Sequence, residues 1–255
     1  MGRPPLILIS PGIEKRGFEF SDLSVSLAVR YETAILAAGG IPLIAPVTSD
    51  RALLAEAVRR TDGVLLTGGD DIDPNLYDLS LSKNIRETIE VTPDNGSRDE
   101  RELVLISEIF RQRKPVLAIC HGHQLLNIAF GGSLLADIRQ QFPSEVNHRQ
   151  MDKAFELVHE VALTPGSLVA KICGKQALGV NSTHHQGVAQ PATPFVATGR
   201  SLDGLVEIME LKPELQASLP FLLSVQFHPE RLVQINARYR AIFQKFVAAC
   251  TKKRN

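Results

Sequence analysis

Three short stretches of this chain have residue types and spacings suited to covalent chemistry. The first is RKPVLAICHGHQLLNIAFGG, residues 113–132, where an apolar run ends in Cys120, Gly122 follows, and a helix-like pattern begins. A helix N-terminus carries partial positive charge and free N–H groups, which stabilise a thiolate, so Cys120 is a candidate nucleophile. The backbone N–H of the next residue, His121, would then point at a developing oxyanion, as in a strand–nucleophile–helix elbow. The second is QFHPE, residues 226–230, with His228 and Glu230 on either side of Pro229. In extended chain, residues two apart point the same way. Glu230 could therefore take one imidazole nitrogen while the other faces a thiol. The third is TGGDDIDP, residues 67–74, whose Gly68 and Gly69 offer backbone N–H groups to complete an oxyanion hole.

Each stretch has a plainer explanation when taken alone. A cysteine after a strand is more often core than catalyst, paired glycines usually mark a turn, and a histidine at a strand end is usually structural. A metal site is another reading, because CHGH at 120–123 and the pair His184–His185 are rich in zinc-compatible side chains. Cys120 and His121 are sequence neighbours, however, which is not a usual chelating spacing, and zinc on the thiolate would block the nucleophile. Together, a thiol, an imidazole with a same-side carboxylate, and a glycine turn fit a Cys-His-Glu triad.

These residues need a scaffold that brings strand ends together. Strand-like runs at 5–10, 41–46, 62–69 and 115–119 alternate with helical patterns at 24–40, 49–60 and 97–112. The rhythm predicts a doubly wound α/β fold with a mostly parallel sheet, and ligands in such folds bind beyond the carboxyl ends of the strands. Beyond residue 140 the strand-like pieces at 155–163, 176–185, 194–201 and 204–211 predict hairpins and antiparallel additions to the sheet. A strand at 221–230 carries the His-Pro-Glu, and a helix over 231–250 places Ile235, Tyr239, Ile242, Phe246 and Cys250 on its apolar face. The polar segment 79–97 is expected to be a loop near the site. No repeat or linker divides the 255 residues, which are read as one domain, 1–255.

Composition narrows the function classes. Lys plus Arg and Asp plus Glu number 28 each, so no net field draws in nucleic acid or an anionic membrane. The apolar runs are strand-sized, so no membrane span is expected. Three cysteines, Cys120, Cys173 and Cys250, are too few for a disulfide framework and suggest a reducing, cytoplasmic setting. Cys173 and Cys250 fall on helical apolar positions and read as buried side chains.

The chain resembles the class I glutamine amidotransferase-like family, and within it the peptidase C26, γ-glutamyl-γ-aminobutyrate hydrolase branch. The resemblance rests on YETAILAAGGIPLIAP, LLTGGDDIDPNLYD, SRDERELVL, PVLAICHGHQLLNIAFGGSLLADI, VNSTHHQGV and SVQFHPE, in the family's order over roughly residues 5–245. It implies a three-layer α/β/α sandwich of the flavodoxin-like glutamine amidotransferase type. It also implies Cys120 as nucleophile, His228 as general base and then acid, and Glu230 as its orienting partner. The oxyanion hole would be the amides of Gly69 and His121. Gly68, Gln124, His184, His185 and Gln186 would contact the substrate.

The implied reaction is hydrolysis of a γ-glutamyl amide through a γ-glutamyl thioester, as in polyamine (putrescine) catabolism, with no metal or organic cofactor. The expected partners are a small γ-glutamyl substrate and, if any protein, a second copy in a homodimer. Two other functions remain open: a glutaminase subunit feeding ammonia to a synthase, and a non-catalytic binding protein on the same scaffold. One departure stands out. The family usually has Arg after the cysteine, where this chain has His121, a group that titrates near neutrality and puts substrate preference or the pH profile in question.

Overall fold

A computed structural model describes residues 2–17, 20–91 and 97–251. The first half builds most of the parallel part of the main sheet and a separate two-stranded antiparallel pair. Its strands are β1 (Leu6–Ile9), β2 (Gly12–Glu14), β3 (Ser24–Ser26), β4 (Ile41–Ile44), β5 (Gly63–Leu66) and β6 (Val116–Ile119). Its helices are α1 (Val29–Ala37), α2 (Arg51–Arg60), α3 (Lys83–Arg86) and α4 (Ser97–Arg111). The chain continues through α5 (His121–Ala129), β7 (Ser133–Leu135), α6 (Ile138–Gln141), β8 (His159–Leu163), α7 (Leu168–Cys173) and β9 (Ala177–Val180). It closes with β10 (Gly187–Gln190), β11 (Phe195–Ser201), β12 (Val206–Leu211), β13 (Leu222–Val225) and α8 (Ala237–Cys250). The main sheet runs β4-β1-β5-β6-β13-β12-β11-β8-β9, with β10 pairing both β12 and β7. Pairings from β4 to β13 are parallel, and those from β12 outward are antiparallel.

Alternating side chains of the central strands feed two cores, one on each face. Ile7, Ile9, Leu65, Leu117, Ile119 and Val225 pack with residues of α1, α7 and α8. Leu8, Val64, Leu66, Val116 and Ala118 pack with residues of α2, α4 and α5. Strands buried on both faces must be apolar throughout, which is why LILI, GVLL and VLAI are unbroken runs. The result is the expected three-layer α/β/α sandwich. Among the described residues no helix is long and apolar enough to cross a membrane.

Several elements differ from the sequence expectation. The helix read over 24–40 is β3 followed by α1. Ser24–Ser26 pairs antiparallel with Gly12–Glu14, and Leu27, placed on the helical face, instead packs on the core from the connection. Ile235 lies before α8 and is exposed. The strand at 176–185 ends at Val180, so Asn181–Gln186 leave the sheet and run along the site. β7 and β10 were not expected; they are short and join the sheet only through β12. The loop at 79–97 contains α3, and Val91 bridges Asp71, while residues 92–96 lie outside the described part. Cys173 and Cys250 are buried free thiols, as expected.

Candidate active site

The chain leaves β6 and turns into α5 through Cys120, whose φ of 51° and ψ of −104° lie in a region that non-glycine residues rarely occupy. Holding it there costs about 1–3 kcal/mol, so the surroundings must over-determine it. The Cys120 amide donates to Val225 O (2.8 Å), and the Gly122 amide donates to Thr67 O (3.1 Å). The Gln124 amide returns to Cys120 O (3.0 Å). Gly122 is required for the approach of α5 to β5 rather than of a substrate. A Cβ there would lie 2.6 Å from Leu66 Cβ and 2.9 Å from Leu66 O. Since the strand backbone cannot yield cheaply, Gly122→Ala is expected to cost about 1–3 kcal/mol. Thermal melts should show a midpoint lower by several degrees, with kcat falling as the elbow shifts.

β13 ends beside β6 and carries His228 and Glu230. His228 Nδ1 is 2.7 Å from Glu230 Oε1, and both side chains are buried. The contact is not made by strand alternation. His228 caps a 3-10 turn, Pro229–Arg231, and that turn swings Glu230 back onto the ring. The His228 amide donates to Asn181 Oδ1 (2.8 Å), and Asn181 Nδ2 donates to His228 O (3.2 Å), which locks the segment from the run that follows β9.

With Nδ1 committed to Glu230, Nε2 is the ring nitrogen left for the sulfur. Burial disfavours the imidazolium, but the charges and hydrogen bonds of Glu230 and Cys120 outweigh it and raise the His228 pKa to about 10. The folded value lies above the ordinary 6.5, so this group's stabilisation is complete below pH 6.5 and lost as pH rises through about 10. The melting temperature of the wild type should therefore fall more steeply between those limits than that of His228→Asn. Parallel slopes would contradict the assignment.

Gly68 lies where the two side chains converge. A Cβ on it would be 2.5 Å from His228 Cε1 and 3.4 Å from Cys120 Cβ. Its amide donates to Tyr31 Oη (2.9 Å), and its carbonyl accepts from Arg98 Nη2 (3.0 Å). Gly69 cannot carry a side chain either, because Arg98 Nη1 occupies the place of its Cβ. Arg98 is itself buried and paired with Glu102 at 2.9 Å. Among the described residues no acceptor takes the amides of Gly69 or His121. Tyr31 and Arg98 were not anticipated at the site. Tyr31 reads as one more apolar position of α1, and Arg98 as part of a solvated helix start.

A cavity of about 180 Å³ opens beside Cys120, walled by Gly69, Gln124, Arg149, His184, His185 and Gln186, with Asp70, Asp71 and Glu90 at its acidic side. The expected substrate-binding residues reach it differently. Gln124 lines it, but its Nε2 is used by Gln186 O (3.0 Å) and Gln226 Oε1 (3.1 Å). Gln226 Nε2 lies 3.6 Å from Cys120 Sγ, a contact that the local sequence gives no sign of. Gln186 Oε1 accepts from the Ile72 amide (3.2 Å). His185 is bracketed by Asp71 (2.8 Å) and Asp137 (3.2 Å). Burial opposes its charging, but those carboxylates raise its pKa. His184 lines the wall with both ring nitrogens turned elsewhere, Nδ1 to Gln186 O (2.9 Å) and Nε2 away toward Glu207.

The His121 side chain does not line this cavity. It is fully buried, with Nδ1 2.8 Å from Asp70 O and Nε2 3.2 Å from Asp99 Oδ1. The departure from the family's Arg is thus absorbed beneath the Gly69–Asp70 turn, among carboxylates of α4. His123 donates or accepts at Ser224 Oγ (2.7 Å) inside the core, where burial lowers its pKa to about 3 and keeps it neutral.

Comparisons with known proteins agree on one family. The model of peptidase C26 matches residues 5–230. Protein NtpR of Enterococcus hirae is 36% identical over 219 residues, covering 85% of this chain and 86% of that protein. The γ-glutamyl-γ-aminobutyrate hydrolase PuuD of Escherichia coli K12 is 32% identical over 234 residues, covering 88% and 86%. The crystal structure of a glutamine amidotransferase from Methylobacillus flagellatus superposes with a TM-score of 0.58 at 14% identity, covering 100% of this chain and 98% of that one, a likeness of fold.

Proposed function

The chain belongs to the peptidase C26 family and is an enzyme of the glutamine amidotransferase-like type, and from that premise we propose that it hydrolyses γ-glutamyl amide bonds through a thioester on Cys120. The observation that carries the reading is the strained Cys120 elbow opening on a small polar cavity, with the His228–Glu230 pair behind it. The Cys120 thiolate attacks the γ-carbonyl carbon. The carbonyl oxygen takes up the negative charge and receives the N–H groups of Gly69 and His121. His228, charged and aligned by Glu230, gives its Nε2 proton to the departing amine, leaving a γ-glutamyl thioester. Water enters, gives a proton back to His228, and attacks the thioester, releasing glutamate and the thiolate.

The size and charge of the cavity support a glutamyl substrate. Its 180 Å³ corresponds to about six liquid waters, too little for a folded peptide segment but enough for one small amino-acid group. Its lining carries both signs, Arg149 together with Asp70, Asp71 and Glu90, which suits a zwitterionic amino acid. A second cavity of about 820 Å³ shares Arg149, His184 and His185 with the first and gives the leaving amine room to vary. The reading also draws on the printed activity of the Escherichia coli relative, γ-glutamyl-γ-aminobutyrate hydrolysis. The test is a panel of γ-glutamyl amines, γ-glutamyl peptides and glutamine, with released glutamate measured for wild type and Cys120→Ala. Cleavage of γ-glutamyl amines by the wild type alone is expected. Cleavage of glutamine alone would favour an ammonia-supplying subunit instead.

A further inference from the structure

Behind the wall of the substrate cavity, four chain segments bring three imidazoles around one carboxylate. His148 follows α6, His159 opens β8, His184 lies in the run between β9 and β10, and Glu207 lies on β12. Glu207 Oε1 is 3.5 Å from His148 Nδ1, 3.6 Å from His159 Nε2 and 3.8 Å from His184 Nε2. Glu207 is completely buried, and among the described residues neither of its carboxylate oxygens has a hydrogen-bond partner; His159 Nε2 has none there either. The facing atoms of His148, His159 and Glu207 all lie within 4.8 Å of one another.

The outer ring nitrogens show which way each imidazole is committed. His148 Nε2 is 2.9 Å from Asp203 Oδ2, and that carboxylate also takes the Ser144 and Ser201 hydroxyls. His184 Nδ1 is 2.9 Å from Gln186 O, and His159 Nδ1 is 3.4 Å from Glu160 O. A carbonyl only accepts, so the His184 proton is on Nδ1. In that tautomer Nε2 turns its lone pair toward Glu207 Oε1, 3.8 Å away, and Ser182 Oγ, 3.1 Å away. Ser182 Oγ donates to His148 O (2.9 Å) and lies 3.3 Å from His148 Nδ1 and 3.1 Å from His184 Nε2.

We propose that His148, His159, His184 and Glu207 form a structural site for a divalent transition metal, zinc by its donor set. Three imidazoles and a carboxylate suit zinc, and bonds near 2.0–2.1 Å in a tetrahedron put neighbouring ligand atoms about 3.4 Å apart. The spacings from Glu207 exceed that by up to about 0.4 Å; His148, His159 and Glu207 lie within 4.8 Å of one another, and the His184 ring, outside that group, must move in to complete the tetrahedron. Imidazoles anchored through their outer nitrogen by a carboxylate or a carbonyl are the usual supports of metal-bound histidines. One metal dication with Glu207 and Asp203 leaves the pocket neutral, where the metal-free pocket has a buried carboxylate without a partner. The site has no open position and takes no part in the reaction. It ties the strand-end run holding Thr183, His184 and His185, and the loop holding Arg149, to β8 and β12, and so fixes one wall of the substrate cavity.

The test uses the full, tag-free chain, stripped with a chelator, in wild-type and Cys120→Ala forms. The alanine form removes the thiol as a competing ligand. Zinc sulfate should load about one ion per chain in both and raise the melting temperature by about 5 °C at saturating zinc. Cobalt(II) in place of zinc should give the visible absorption of a tetrahedral site. Glu207→Gln and His159→Gln should each lose the bound ion and the thermal shift. If one variant fails to fold, the cobalt spectrum and zinc stoichiometry of Cys120→Ala still decide the matter. No zinc in Cys120→Ala, or full retention of zinc by Glu207→Gln, overturns the proposal.

Discussion

Replacing Cys120 by alanine is expected to lower kcat for γ-glutamyl amide hydrolysis by about 10⁴-fold or more, with the melting temperature changed by only about 2–4 °C. The rate effect is large because both half-reactions pass through the sulfur. Without it, water would have to attack an unactivated amide directly, aided only by the oxyanion donors and by positioning. The thermal effect is small because alanine keeps the backbone of the elbow, and the bonds that hold it are main-chain: Cys120 N to Val225 O and Gln124 N to Cys120 O. His228→Asn should approach the same loss, because it removes the proton that the leaving amine needs. Glu230→Gln should lose less, since the His228 backbone keeps its place through the Asn181 bonds while the ring loses the charge that raises its pKa. The three losses should not add, because the residues act as one unit. Substantial glutamate release by Cys120→Ala, measured with the same substrate panel, would remove the thioester from the mechanism.

The parts of this arrangement legible in sequence are those written in a local period. β6 and α5 show as an apolar run meeting a helical pattern, so the elbow at Cys120 can be found by inspection. The same holds for β13 and its His-Pro-Glu ending. What could not be read is contributed sideways, by elements whose local pattern speaks of something else. Tyr31 occupies an ordinary apolar position of α1, yet its hydroxyl holds the Gly68 amide. The charged start of α4 reads as a solvent face, yet Arg98, Asp99 and Glu102 are buried. A charged segment tucked under a glycine turn contradicts the amphipathic pattern because its partners come from 30 residues away in sequence. The pairing of His228 with Glu230 was expected for the wrong geometric reason, as extended chain and a 3-10 turn both bring residues two apart together. The cluster at 148, 159, 184 and 207 has no chelating spacing at all. Sequence reasoning that looked for a metal beside Cys120 had no means of assembling ligands from a loop, two strands and a strand end.

Arg98→Met should be the most damaging change outside the proposed trio of Cys120, His228 and Glu230, and it should damage stability and rate by separable routes. Arg98 is buried, and its Nε is the close partner of Glu102 Oε1; Glu102 Oε2 already lacks a hydrogen bond and lies 3.6 Å from His121 Nε2. Removing one side of a buried pair costs about 3–5 kcal/mol because the other charge stays behind. For a chain of this size that lowers the melting temperature by about 10 °C. Independently, Arg98 Nη2 holds Gly68 O and Thr67 Oγ1 from below, so the turn that aims the Gly69 amide loses its support. An oxyanion donor let out of line is worth about 10²–10³ in kcat. The double change Arg98→Met with Glu102→Leu separates the two effects, because it removes both charges and refills the volume with apolar atoms. It should regain most of the melting temperature while kcat stays low. If kcat returns with stability, Arg98 serves only to neutralise Glu102, and the Gly68–Gly69 turn is held in place by Tyr31 and the β5 backbone alone.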